Sequence, residues 1–270
     1  MIETDTLSEL VQELATAIVV GSGRMQDVLR RCHVAGLTID ALRPALLVAE
    51  REIIARSAGR RPDGVTKGVA DRLAAALGEI DALWPADGGA TASSPGTIAV
   101  AGLPGEGHSV GRQLWRLLLA AEGYTVRDLG LRAPPIVARE AAALKPDALA
   151  LNLFDARGRG SLQSLVAGLL RWGAKLPLML GGPGVDEAFA QGLAIAESTG
   201  PYWGGVYYCS DGEEMLQVLE QVVLFEPPPQ AHSHEHGVPS PAEDACDSCG
   251  GCPLAGACNP PISEDGDGRV

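Results

Sequence analysis

Thr97-Ile98-Ala99-Val100-Ala101-Gly102 is an apolar run of strand type that leads directly into Leu103-Pro104-Gly105-Glu106-Gly107-His108-Ser109-Val110-Gly111. That loop leads in turn into Arg112 to Glu122, where Leu114, Leu117 and Leu118 fall at helical spacing. The stretch reads strand, glycine-rich loop, helix. In an open α/β sheet such loops lie at the carboxyl ends of the strands, where ligands bind. Glycine permits tight turns and the close approach of a bulky group, and His108, one of two histidines before residue 225, adds an imidazole. Taken alone, a histidine in such a loop also reads as an exposed turn residue or a helix start.

The same alternation continues down the chain. Strands are expected near 97–103, 125–130, 147–154, 177–181 and 205–209, with helices near 109–122, 134–144, 161–172, 185–198 and 212–224. Alternation of this kind calls for a parallel sheet with helices on both faces, and five units suit a flavodoxin-like (Rossmann-type) order. The loops after the first, third and fourth strands then converge, so that Glu106 to His108, Asn152 to Phe154, and Gly181-Gly182 can line one crevice.

Glu106-Gly107-His108-Ser109-Val110-Gly111 resembles the D-x-H-x-x-G signature of cobalamin-binding domains, with Glu in the Asp position. Gly123-Tyr124-Thr125-Val126-Arg127-Asp128-Leu129-Gly130, Lys145-Pro146-Asp147 and Gly181-Gly182 follow in the order and approximate spacing of that family's further motifs, over about residues 96–224. The resemblance implies cobalamin as cofactor and His108 as the lower axial ligand of cobalt, a neutral imidazole nitrogen. Glu106, bound to the other ring nitrogen, would fix its tautomer. It also implies that Asn152 stands where the family has a Ser beside the displaced nucleotide base, and that Gly181 and Gly182 leave room for the nucleotide tail. Gly111 and Phe154 belong to the same implied cofactor site, while Ser109 and Gly111 read more simply as a helix start and a point of close packing.

Before this region, residues 1–86 read as an all-α four-helix bundle. Leu7, Leu10, Val11, Leu14 and Ile18 form one stripe, and Met25, Val28 and Leu29 begin a second. Leu37 to Ser57 is a third helix and Val65 to Leu83 a fourth. The resemblance makes this bundle similar to the helical cap that covers the upper face of the corrin in methyl-carrying corrinoid proteins, although the cap's aromatic and acidic signature is absent from the fourth helix. A bundle for dimerisation or partner binding is the other reading. Residues 87–96 are small, polar and breaker-rich and mark a linker, so the α/β domain is assigned to 97–225 and 96–224 is expected to fold by itself.

From 226 to 270 the chain changes character. Glu226-Pro227-Pro228-Pro229 stops the last helix, large apolar residues are scarce, and eight acids stand against Arg269 alone, which supplies −7 of the net −13. A disordered acidic tail is expected. Within it lie His232, His234 and His236 and the run Cys246-x2-Cys249-x2-Cys252-x5-Cys258. Clustered cysteines in a chain otherwise nearly free of them argue for metal, either an iron–sulfur cluster or zinc, rather than disulfides. Cys32 and Cys209 sit among apolar residues and read as inert core positions.

The acidic balance disfavours direct contact with nucleic acid or anionic lipid, no apolar run reaches membrane-spanning length, and Met1 to Asp5 lacks the basic character of a signal peptide, so a cytoplasmic location is expected. Two functional classes follow from the resemblance. One is a corrinoid subunit of a methyltransferase system, passing a methyl group between methyltransferase partners and served by reductive-activation proteins. The other is a cobalamin-dependent sensor or antirepressor that contacts a transcription regulator through protein surfaces.

Overall fold

The computed structural model of the chain describes residues 4–21, 24–57, 63–84, 94–104, 109–196 and 205–224. Its first 226 residues form one compact unit. Four helices come first: α1 (Thr4–Val20), α2 (Met25–Val34), α3 (Ile39–Ser57) and α4 (Gly64–Leu83). Asp63 starts α4 by accepting the Thr66 amide at 2.7 Å, the N-cap bond that relieves an orphan donor of the first turn. The leucines and isoleucines that the 3.6 period aligns, among them Leu14, Ile18, Leu42, Leu46, Leu73, Leu77 and Ile80, are all buried. No helix among the described residues is long and apolar enough to cross a membrane.

The second half is β1 (Thr97–Gly102), α5 (Val110–Ala121), β2 (Thr125–Leu131), α6 (Pro134–Leu144), β3 (Ala148–Asn152), α7 (Arg159–Arg171), β4 (Leu178–Gly181), α8 (Glu187–Ala196), β5 (Val206–Cys209) and α9 (Gly212–Leu224). A 3-10 turn, Ala156–Gly158, precedes α7. All strand pairs are parallel, in the order β2-β1-β3-β4-β5, the flavodoxin-like arrangement expected from the alternation. The central strand β3 is buried throughout, as a strand covered on both faces must be.

The short motifs between elements have local structural work. Lys145 ends α6 in the left-handed conformation (φ 51°), Pro146 prevents further helix, and Asp147 ties the start of β3 to β1. The Asp147 carboxylate accepts the Thr97 amide at 2.7 Å, and its own amide donates to the Thr97 carbonyl at 2.8 Å. Asp128 accepts the Gly130 amide at 2.8 Å and pairs with Arg112 of α5, beside a register shift in which Val100 faces Asp128 and Ala101 faces Gly130. The last residues of the linker are also fastened: Ser94 Oγ accepts the Thr125 amide at 3.0 Å and donates to the Gly96 carbonyl at 2.9 Å.

One apolar core joins the bundle to the sheet. Leu42, Leu46, Leu73, Leu77 and Ile80 pack in the same cluster as Leu114, Trp115, Leu118 and Met215 from α5 and α9, and Ile98 and Val100 from β1. Ion pairs Arg43–Glu122, Arg116–Asp81, Arg51–Asp211 and Arg51–Glu213 span the junction. The expectation that 96–224 stands alone therefore meets a core shared with α3 and α4. The opposite face of the sheet has its own core, built from Val137, Ala138, Leu162, Leu165, Val166 and Leu193 of α6, α7 and α8 against Leu149, Leu151, Leu178 and Leu180.

Candidate functional site

At the carboxyl ends of the strands lies a narrow cleft enclosing about 20 Å³. Its floor is Val110, Gly111 and Leu114 of α5, Asn152 and Phe154 at the end of β3, and Gly182 and Pro183 after β4. Its roof comes from the bundle: Glu50, Ile53 and Ile54 of α3 and Leu73 of α4. Asn152, Phe154 and Gly182, expected to share a crevice, come together here with Gly111, which the resemblance puts in the same cofactor site. They come from three separate stretches of sequence, and the parallel sheet places the ends of those stretches side by side.

Asn152 sits at the centre. It pairs in register with Gly181 and is buried. Both neighbouring glycines are shaped around it. A Cβ on Gly111 would overlap the Asn152 amide, and a Cβ on Gly182 would stand 2.5 Å from both Asn152 Oδ1 and the Leu153 carbonyl. Gly182 also needs its φ of +87° to turn the chain out of β4. Gly111 is therefore a point of close packing, whereas Ser109, at the N-cap of α5, makes no side-chain cap bond.

Gly181 has a different neighbour. Its missing Cβ makes room for the indole of Trp115, whose Cζ2 and Cη2 would lie 2.5 and 2.7 Å from that position, with the Cys209 carbonyl at 2.7 Å. Trp115, on the inner face of α5, is fully buried. Its Nε1 donates at 3.2 Å to Glu50 Oε1, and the Gly212 amide, first of α9, donates at 2.8 Å to Glu50 Oε2. Burial pushes the Glu50 carboxyl up to about 7, against the lowering effect of these two donors. Beside it, Asp211 stays below the usual carboxylate range: the Glu214 amide and the Arg51 guanidinium outweigh its partial burial.

Glu50 and Trp115 were not foreseen as site residues, yet a signal for each is present. Glu50 interrupts the apolar stripe Leu42, Leu46, Ala49, Ile53 of α3, where a carboxylate needs a reason, and Trp115 is one of only four tryptophans in the chain. Glu106 and His108, between Pro104 and Ser109 in sequence, lie outside the described residues, and so do Cys246, Cys249, Cys252 and Cys258. Among the described residues no cluster of three or more potential metal ligands occurs. Cys32 and Cys209 are buried thiols; burial raises both, and carboxylates at Glu214, Asp211 and Glu50 help push Cys209 up to about 12, so neither is a reactive thiolate.

The rim suits a flat, largely apolar ligand, since Ile53, Ile54 and Leu73 face Gly111 and Gly182 across it. At about 20 Å³ the enclosed space is far below the 300–1,000 Å³ or so of ordinary ligand pockets, so a macrocycle is not seated in the cleft as it stands.

No protein-family model matches the sequence, and no curated protein matches it. Solved structures do. The monomethylamine corrinoid protein of Methanosarcina barkeri is similar with a TM-score of 0.58 at 17% identity, over 80% of this chain and 99% of that one. The methanol:cobalamin methyltransferase complex of the same organism gives 0.44 at 22% identity, over 81% of each chain. A cobalamin-binding protein of Desulfitobacterium hafniense gives 0.45 at 17% identity, over 79% of this chain and 98% of that one. Helical bundle and five-stranded sheet together, this chain has the fold of the monomethylamine corrinoid protein.

Proposed function

We propose that this chain is a corrinoid-binding protein that carries a methyl group between methyltransferase partners. The observation that carries the reading is the cleft at the strand ends, roofed by α3 and α4, in a chain that shares bundle and sheet with a corrinoid protein of a methylamine system. Bound there, the cobalt centre supplies the nucleophile and the leaving group for methyl transfer; the protein supplies binding, orientation and exclusion of water. Asn152 offers a hydrogen-bonding amide from the floor, and Ile53, Ile54 and Leu73 make an apolar roof. His108, two residues before Val110 of the cleft wall, would serve as lower axial ligand, with Glu106 holding its other ring nitrogen. Cys246, Cys249, Cys252 and Cys258 would hold an iron–sulfur cluster or zinc, and a cluster would suit the return of an electron to an oxidised cobalt.

The test is an absorbance titration of the full chain with a corrinoid. The expected result is a spectrum with a nitrogen lower ligand in the wild type, shifted to a water-ligated form in His108→Ala. Glu106→Gln should weaken binding by about 10–100-fold, the usual effect of losing a partner behind a metal ligand. An identical spectrum in His108→Ala removes His108 from cobalt; absence of corrinoid binding removes the whole reading.

A further inference from the structure

At the other end of the sheet from the cleft, beside the amino ends of β3 and β4, a pocket of about 310 Å³ opens between the last turns of α6 and α7. That volume lies within the range of ordinary small-molecule sites. The two helices touch closely earlier in their course, where a Cβ on Gly168 would stand 2.9 Å from Ala138 Cβ. Beyond that contact Ala141 and Ala142 are too small to fill the gap. Trp172, Lys145 and Lys175 complete the wall, and none of the residues lining the pocket is acidic.

In a chain of net charge −13, two lysines and an indole around one space are out of character. Lysines near a helix C-terminus ordinarily answer its carbonyls. Here the backbone already ends both helices. Lys145 closes α6 through its left-handed conformation and its amide bond to the Ala141 carbonyl. Gly173 (φ 64°) closes α7, its amide and that of Ala174 donating to the carbonyls of Leu170 and Leu169. Neither stop needs an ammonium or an indole. Neither lysine is in an ion pair with a described residue, and the nearby carboxylate of Asp147 is turned to the Thr97 amide instead. Trp172 is 55% exposed, so its ring is left for something other than the core.

We infer that this pocket is a ligand site of its own, taking a small aromatic acid: a flat ring against Trp172, with a carboxylate or phosphate meeting Lys145 and Lys175. A ring and an acid are both required. The carbonyl ends of α6 and α7 oppose a bare anion, so stacking on the indole must carry part of the binding, while the two ammonium groups select the charged ligand over its neutral counterpart. The pocket shares no residue with the cleft, so the inference stands or falls apart from the corrinoid reading.

The experiment is equilibrium dialysis of the full chain at about pH 7 against three probes: naphthoate, naphthyl phosphate and neutral naphthol. At least one of the two acids should bind with Kd below about 1 mM and about tenfold or more tighter than naphthol; the tighter acid identifies the group the lysines receive. Lys145→Gln combined with Lys175→Gln should weaken the acid by about tenfold and leave naphthol unchanged, whereas Trp172→Ala should weaken both. All three side chains are exposed, so the melting temperature of each variant should match the wild type. Acids that bind no better than naphthol overturn the inference, and so does acid binding that either variant leaves intact. Where a variant fails to fold, the wild-type comparison of acid with naphthol still decides.

Discussion

Glu50 reaches from α3 between two donors, the Trp115 indole and the Gly212 amide, and is only 5% exposed. Its carboxyl titrates near 7 in the folded chain against 4.5 ordinarily, so between those values the folded state holds a proton that the unfolded state has released. Stability is therefore highest at the acid end of this window and falls as pH rises through it, by on the order of 3 kcal/mol in total. Asp63, Asp186 and Asp211 act with the opposite sign, since their folded values are lowered, but their effect ends below the ordinary 3.8 and does not overlap. Urea midpoints at about pH 5 and about pH 7.5 should show the decline in the wild type. In Glu50→Gln it should be absent, with a lower stability at both values because the new amide faces a donor. An undiminished decline in the variant would assign it to another group. The sequence marks Glu50 as a carboxylate in an apolar stripe and Trp115 as a rare indole, but their pairing comes from a meeting of α3 with α5 and α9 that no local pattern encodes.

At the scale of elements far more was readable. α6 and α9 begin and end where the pattern placed them, and the other strands and helices fall within one to three residues of expectation, because period and breaker residues act locally. The motifs that carried the family resemblance gain independent explanations in Lys145, Asp147, Asp128 and Gly130, which clasp strand ends and stop helices. Such residues report the fold first. Gly111 makes the distinction measurable. Its Cβ position is filled by the Asn152 amide, so Gly111→Ala should cost about 1–3 kcal/mol and turn Asn152 out of the cleft. Asn152→Ser frees that volume, and the double variant should recover most of the loss, a coupling visible in a thermodynamic cycle of melting or denaturant data. Additive effects would mean that the two residues do not compete for one space.

For the whole molecule the deciding feature is the core that α3 and α4 share with α5, α9 and β1. The linker's composition suggested two separable domains, but composition near 87–96 is blind to Leu46, Leu73 and Leu77 packing with Leu114 and Leu118. A chain beginning at Ser94 would expose that face, lose every partner of Trp115 and Glu122 on α3, and strip Arg116 of Asp81. It should be aggregation-prone, bind the dye ANS, and keep helical far-UV signal with little near-UV structure. A chain ending at Glu226 keeps the whole compact unit, and the acidic segment it lacks is too poor in apolar residues to supply a core, so its melting should match that of the full chain. The same cut tests the tail cysteines: anaerobically purified full chain should contain iron or zinc, and the shortened chain neither. A well-folded chain starting at Ser94 would show the bundle to be dispensable to the sheet, while metal retained after the cut at Glu226 would move its ligands out of the tail.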